Sequence, residues 1–456
     1  MSLFANEMSD AHKDSDIPSP AVIPRKIQAV ANSAIADDNV WQWIHDVASS
    51  SPVQPIVNLG TGFIDHNPPT YLIEAHKAAL ESVDSNQYAP VPGSDALKEA
   101  IAEIYSPLYG RALNPVTEIC ITSGAQEGLL SSVMSFVQAG DEVILLEPVF
   151  AMYVYQVKMA GGTIRYVPLR PPKEAETKTV SGDSWTIDIE ELEQAITPKT
   201  KMVYLNNPHN PLGKVFTRAE LLAIGNLCVR HGLVLLSDEV YERIVFPSNS
   251  SSPQVSHTRV ASLSPEIASH TLTAVSLGKL FNATGWRVGF VIGTEALMRP
   301  VIATHLVLAY SSSGPAQDAC AVGLREAERS GWWETNALDV GARIGKLCGM
   351  LDDIGLTYVR PPSAWFVFVN IDNLRLPEEY TYPSLVTVEG TRDWKVCYWL
   401  VQEFGIASIP GSCFYGPENK VLGQRYLRFG ACKSNEGLEM AMQRLQQLRP
   451  HIETLE

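Results

Sequence analysis

Between residues 118 and 293 the chain alternates short apolar runs with stretches of helical spacing. Residues 119–122, 142–146, 163–168, 201–205, 233–236, 271–275 and 288–292 have the length and β-branched content of buried strands. The stretches between them, at 123–128 and onward, up to Met159, at 188–196 and at 219–230, read as helices. Strands alternating with helices predict a mostly parallel sheet and an α/β fold. After about residue 330 the pattern changes to a long helix over 331–354, a strand at 365–371, a helix at 394–404, strands at 406–409 and 426–429, and a closing helix at 435–448. That order describes a second, smaller α+β domain. Upstream, residues 26–50 carry helical spacing through Ile27, Val30, Trp41, Ile44 and Val47, and a helix is expected from Tyr71 to Val83. Residues 170–186, 247–269 and 373–391 read as polar or loop-like connections.

Composition narrows the class. A chain of 456 residues with 45% hydrophobic and 19% charged residues can bury a large core in two domains. A net charge of -15 argues against nucleic acid and anionic membranes as partners, so any anionic ligand needs locally placed cations. No run approaches a membrane span. The acidic first residues (Glu7, Asp10, Asp14, Asp16) lack an apolar core or an arginine-rich pattern, so the expectation is a cytoplasmic protein with a polar N-terminal arm. Seven scattered cysteines without a C-x-x-C read as free thiols, with no metal site.

The chemistry gathers at strand ends. Lys279 follows the 271–275 run on a loop, with Ser276 before it and Arg287 after it. A hydroxyl and a guanidinium suit a phosphate, and a primary amine beside a phosphate site is what pyridoxal 5'-phosphate (PLP) chemistry needs. No lysine-containing stretch fits a P-loop, and there is no G-x-G-x-x-G. Asp238 ends another strand and can pair with a protonated pyridine nitrogen. Tyr241 and Asn210 can hydrogen-bond a phenolate oxygen. Ala125 and Gln126 open a helix whose free N–H groups favour an anion, and Phe150 offers a flat face for a ring. Each residue has a bland reading by itself, as a cap, a turn or a core anchor. The ordered set is far more specific.

The segments Asn39-Val40-Trp41, Asn58 to Phe63, Asn86-Gln87-Tyr88, Glu147 to Phe150, Asn210 to Lys214, Ser237 to Tyr241, Ser276 to Gly289 and Tyr426 to Gly430 together resemble class I/II aminotransferases, and most of all the kynurenine aminotransferase/glutamine transaminase K branch. The resemblance covers residues 26 to 450. It implies the type I PLP-dependent transferase fold, with a mostly parallel seven-stranded sheet. It further implies an arm at 1–25, a segment 26–75 joining the small domain, a large PLP-binding domain at 76–330 and a small domain at 331–456. In that family Lys279 would form the Schiff base and shuttle protons. Asp238 would pair with the ring nitrogen, Tyr241 and Asn210 would bind the ring oxygen, and Phe150 would stack. Ala125, Gln126, Ser276 and Arg287 would hold the phosphate. Tyr88 would reach the phosphate of a neighbouring subunit in a homodimer. Arg428, helped by Asn210 and Gly62, would clamp the substrate carboxylate, and Trp41 would line the side-chain pocket.

The sequence departs from that branch at Gln126, at Thr61 and over 310–314. The expected reaction is amino transfer from an L-amino acid, aromatic or large and apolar given Trp41 and Phe63, to a 2-oxo acid. β-Elimination, decarboxylation and oxidation on the same cofactor stay open from sequence. A non-catalytic regulator is disfavoured, because Lys279 and Asp238 are both present and no DNA-binding module precedes Asn58.

Overall fold

A computed structural model describes residues 40–62, 64–247, 255–383, 386 and 390–453. The expected arm, the first part of the expected 26–50 helix and Phe63 lie outside the described residues.

Seven strands form the main sheet: β1 (Ile119–Thr122), β2 (Glu142–Glu147), β3 (Thr163–Pro168), β4 (Thr200–Asn206), β5 (Val234–Asp238), β6 (Thr271–Ser276) and β7 (Gly289–Ile292). Their order across the sheet is β1-β7-β6-β5-β4-β2-β3. All neighbours run parallel except β7, which is antiparallel to both β1 and β6. This is the seven-stranded, mostly parallel sheet that the resemblance implied. Successive residues of a strand face opposite sides, and both sides are covered here. Val143, Leu145, Met202, Tyr204 and Leu236 pack with Leu129, Val133 and Tyr153. Ile144, Val203, Leu205 and Leu235 pack with Ile224 and Leu227 from the helix Arg218–His231. Burial on both faces is why the strands read as unbroken apolar runs rather than alternating ones.

A five-stranded sheet runs in the order Ile409–Pro410, Tyr426–Gly430, Phe366–Asn370, Tyr358–Arg360, Val180–Ser181. Three of its members differ from the sequence expectation. The 170–186 connection supplies Val180–Ser181, paired in parallel with Tyr358–Arg360. Both are too short to show a periodicity. The single strand expected over 406–409 is two. Ile406–Ala407 pairs with Val57–Asn58, whereas Ile409–Pro410 pairs with Tyr426–Gly430. Buried Ser408 separates them, its hydroxyl donating to Cys397 Sγ at 3.3 Å. The 247–269 connection also holds the short helix Pro265–Ala268, started by a Ser264 cap and a proline.

The helix Val40–Ser50 buries Val40, Trp43, Ile44 and Val47, one face at helical spacing. Trp43 meets Trp394 with ring centroids 4.6 Å apart, which ties the N-terminal segment to the helix Arg392–Phe404. All seven cysteines are free. Among the described residues no helix is long and apolar enough to cross a membrane.

Candidate active site

The C-terminal ends of β4, β5 and β6 lie side by side, with Asn206 in register with Asp238 and Asp238 with Ala274. Parallel sheets bind ligands in the crevice beyond such ends. A cavity of about 230 Å³ lies there. Trp41, Gly62, Ala125, Gln126, Phe150, Asn210, Asp238, Tyr241, Ser276, Lys279, Arg287 and Arg428 all line it. Of the residues expected from sequence only Tyr88 does not. It stands 87% exposed elsewhere, edge-on to Tyr310 at 5.4 Å.

At one end of the cavity the helix Ala125–Phe136 begins after Gly124, which takes φ 76° and offers no side-chain cap. The Ala125 and Gln126 N–H groups therefore have no intrahelical partners, whereas that of Glu127 donates to the Gly124 carbonyl at 3.2 Å. Gly124 also lets the Arg287 guanidinium come close, since a Cβ there would stand 2.5 Å from Nη2. Arg287 itself sits in the left-handed region at φ 55° and donates to the Thr284 and Ser123 carbonyls at 3.0 and 3.5 Å. The Ser276 hydroxyl accepts from the Lys279 N–H at 3.3 Å, so its own proton is left to donate. Exposed guanidinium, free N–H groups and a hydroxyl form a cradle that suits a phosphate.

In the middle stand the titratable groups. Lys279 Nζ reaches Tyr241 Oη at 3.2 Å and lies 4.9 Å from the centroids of both the Tyr241 and Trp365 rings. Burial lowers its pKa to about 8, with Asp238 pulling in the opposite direction. Asp238 is 4% exposed, and burial raises its pKa to about 6. Hydrogen bonds from the Tyr153 hydroxyl (2.5 Å) and the Val240 N–H (3.2 Å) oppose that rise. The next residue, Glu239, is fully buried and paired with His257 at 2.8 Å, which anchors the end of β5 from the other side.

At the far end Arg428 is 1% exposed. Its Nη1 donates to Asn210 Oδ1 at 3.1 Å and its Nη2 to the Gly60 carbonyl at 2.6 Å, while Nε has no partner among the described residues. Its guanidinium carbon lies 4.0 Å from the Phe366 ring centroid and 5.5 Å from that of Trp41. Burial lowers its pKa to about 10, still far above neutrality. Gly62 is required beside it, because a Cβ would meet the Phe366 ring at 2.5 Å. A buried, charged guanidinium to which no carboxylate of the described residues is bonded is a prepared seat for one.

Three contributors carry no signal that the sequence reading used. Tyr153 lies one helical turn beyond Phe150, a spacing that could have pointed to it. Asn206 holds the Asn210 N–H at 2.7 Å and the Asp238 carbonyl at 3.0 Å, four residues before Asn210. Phe366 enters through strand register opposite Gly430, for which no local signal exists.

This chain belongs to the class I and II aminotransferases: the model of that family matches residues 54–445. Members of the family generally use PLP, and the chain is an aminotransferase similar to proteins named kynurenine–oxoglutarate transaminases. The Saccharomyces cerevisiae protein BNA3, described as a probable kynurenine–oxoglutarate transaminase, is 38% identical, the match covering 91% of this chain and 93% of that one. Human kynurenine–oxoglutarate transaminase 3 is 32% identical over 89% of this chain and 87% of its own. The crystal structure of Bna3p superposes with a TM-score of 0.89, covering 95% of this chain and 100% of that one.

Proposed function

We propose that this chain binds PLP in the Lys279 cavity and transfers an amino group from an aromatic or large apolar L-amino acid to 2-oxoglutarate. The observation that carries the reading is the order of groups along one cavity: an anion cradle, then a buried Asp238–Lys279 pair, then Arg428. When bound there, PLP supplies an aldehyde that takes up the amino group and a pyridinium ring that withdraws electrons from the substrate Cα. Arg287, Ser276 and the Ala125 and Gln126 N–H groups would hold its phosphate. Asp238 would hold the ring nitrogen protonated, Tyr241 and Asn210 would bond the ring oxygen, and Phe150 would cover one ring face.

The chain's own groups account for the rest. Arg428 seats the substrate α-carboxylate by a bidentate pair, and Asn210 fixes the guanidinium plane. That orients the Cα–H bond toward Lys279. A lysine whose pKa is near 8 is neutral often enough at physiological pH to take the Cα proton, and acidic enough afterwards to give it up. Trp41 and Phe366 border the carboxylate seat with aromatic surface, which supports a large apolar side chain on the donor. The donor and acceptor in the curated relatives' names, kynurenine and oxoglutarate, fit that surface and that guanidinium.

A homodimer is part of the same reading. Tyr88, Leu306, Val307, Leu308 and Tyr310 are all exposed large side chains, and a neighbouring copy would cover them and receive Tyr88. Sedimentation equilibrium giving a monomer at micromolar concentration would count against it.

The functional test is a single-turnover spectrum of the purified protein with a panel of amino acids, with Lys279→Ala as control. Conversion of bound cofactor from its aldehyde to its amine form, reversed by 2-oxoglutarate, is the expected result. Release of ammonia or carbon dioxide without the amine form would move the activity to elimination or decarboxylation.

A further inference from the structure

Trp365 is not one of the residues lining the Lys279 cavity, yet Lys279 Nζ lies 4.9 Å from its ring centroid. The indole is fully buried and meets Tyr241 edge-on at 5.3 Å. Its Nε1 would stand 3.3 Å from a Cβ at Gly62. The ring thus reaches from the lysine to the glycine beside Arg428.

The backbone holds the indole in place from several sides. Ala364, just before it, takes φ 59°, in the left-handed region that a side chain rarely adopts. The Ala364 N–H donates to the Ile244 carbonyl and the Ala431 N–H to the Trp365 carbonyl, both at 2.9 Å. The Phe246 N–H donates to the Pro362 carbonyl at 2.9 Å. Strained backbone persists where its surroundings over-determine it, and it gathers at functional sites. Ile244 lies three residues after Tyr241, so the two rings at Lys279 Nζ are fastened to each other. Among the described residues no carboxylate is within ion-pair reach of Nζ, and Asp238 attracts it from further away. An ammonium in such a dry setting gains most from an aromatic face, and tryptophan offers the strongest one.

We propose that Trp365 holds the Lys279 ammonium during proton transfer. When Nζ takes the Cα proton, the C–H bond breaks, an N–H bond forms and the electron pair stays with the substrate. The new positive charge then rests against the indole face until the proton is returned. This role rests on the function proposed above for Lys279; the contact between ring and ammonium does not.

The test titrates Lys279 in the cofactor-free full-length chain. The pH dependence of its acetylation by acetic anhydride is read by mass spectrometry on the peptide that carries it. Trp365→Leu should move the midpoint down by about one unit, and Trp365→Phe, which keeps a weaker face, by less. A ring that only fills space gives the opposite sign, because a smaller side chain admits water and returns the amine toward the ordinary 10.5. The other charged or titratable groups facing the amine are Asp238, Tyr241, Cys432, Arg428 and Arg287, and they are unchanged in both variants. In the PLP-loaded enzyme the acid limb of kcat should move to lower pH with the midpoint, Trp365→Phe falling between wild type and Trp365→Leu. A midpoint that stays or rises, or a kcat limb that does not move, would overturn the proposal. Where Trp365→Leu folds poorly, the sign of the shift in Trp365→Phe decides. Shifted midpoints in a chain that transfers no amino group would strike the proposed function and leave the contact between ring and ammonium standing.

Discussion

The Tyr153 hydroxyl donates to Asp238 Oδ2 across 2.5 Å, joining the helix Ala151–Ala160 to the last residue of β5. Tyr153 stacks on Tyr204 with centroids 4.0 Å apart, and the Tyr204 hydroxyl donates to Gln156 Oε1 at 2.9 Å. Gln156 Nε2 then donates to the Gln126 carbonyl at 3.1 Å. One chain of contacts thus runs from the carboxylate proposed for the ring nitrogen to the backbone proposed for the phosphate. Both ends of the cofactor seat are set by the same helix.

Tyr153→Phe should weaken cofactor retention about 10- to 100-fold, since a hydrogen bond to a charged group contributes about 1.5–3 kcal/mol. Without it Asp238 is left with burial less well opposed, and its pKa moves further up from about 6. Equilibrium dialysis of the holoenzyme, with released PLP read by absorbance, measures the effect. Retention equal to the wild type would show that Asp238 does not depend on this bond.

The residues legible in the sequence are those whose chemistry sits at a strand end or a turn. Lys279, Asp238 and Asn210 each follow an apolar run, so a local pattern is enough to place them on one edge of a sheet. Arg428 is different. It is the middle residue of a strand, and only the resemblance of its flanking Tyr426 to Gly430 motif marks it. Phe366 and Asn206 act through strand register across the chain, which periodicity does not encode, and Tyr153 is marked only by its one-turn spacing from Phe150. The fold shows the same division. Strands covered on both faces are plain as apolar runs, whereas Val180–Ser181 is a strand only through its pairing with Tyr358–Arg360, which itself pairs with Phe366–Asn370.

Lys279 should leave a signature in the pH dependence of stability of the cofactor-free chain. Its pKa is lowered from 10.5 to about 8, so between those values the unfolded chain binds more protons than the folded one. Stability therefore rises with pH through that window, and below about pH 8 the full penalty of a buried ammonium is present. At 1.36 kcal/mol per unit the penalty is about 3 kcal/mol. Asp238 is already ionised throughout this window and drops out of the comparison. Denaturant unfolding of wild type and Lys279→Met should show the difference in ΔG moving in favour of the wild type from pH 8 to 10.5. A flat difference would mean that the amine is not desolvated.

Arg428→Lys should separate substrate binding from cofactor binding. The ammonium cannot reproduce a two-pronged pair with a carboxylate or the bond to Asn210. Truncating one partner of a buried charge pair loses about 2–5 kcal/mol, so KM for the amino acid should rise by about 100-fold or more. PLP retention should stay at the wild-type level, because no group proposed for the cofactor except Asn210 touches Arg428. Loss of PLP together with substrate affinity would mean that the variant disturbs the whole cavity.

Two glycines of the same motif should respond in opposite ways to alanine. At Gly289 a Cβ would stand 2.4 Å from the Ala125 nitrogen, 2.7 Å from the Gly124 carbonyl carbon and 2.8 Å from the Val275 oxygen. All three are backbone atoms of the sheet and of the helix start, so nothing flexible can yield. At Gly285 nothing lies within 4 Å of the added carbon. Forcing an atom into a packed site costs about 1–3 kcal/mol, occasionally more. Gly289→Ala should therefore lower the melting temperature by several degrees and also release PLP, because the strand can accept the methyl only by pushing the phosphate-side helix away. Gly285→Ala, four residues earlier, should leave both quantities unchanged. Differential scanning fluorimetry of the two variants, read beside the cofactor absorbance, distinguishes this from a general intolerance of the motif, in which both substitutions would destabilise alike.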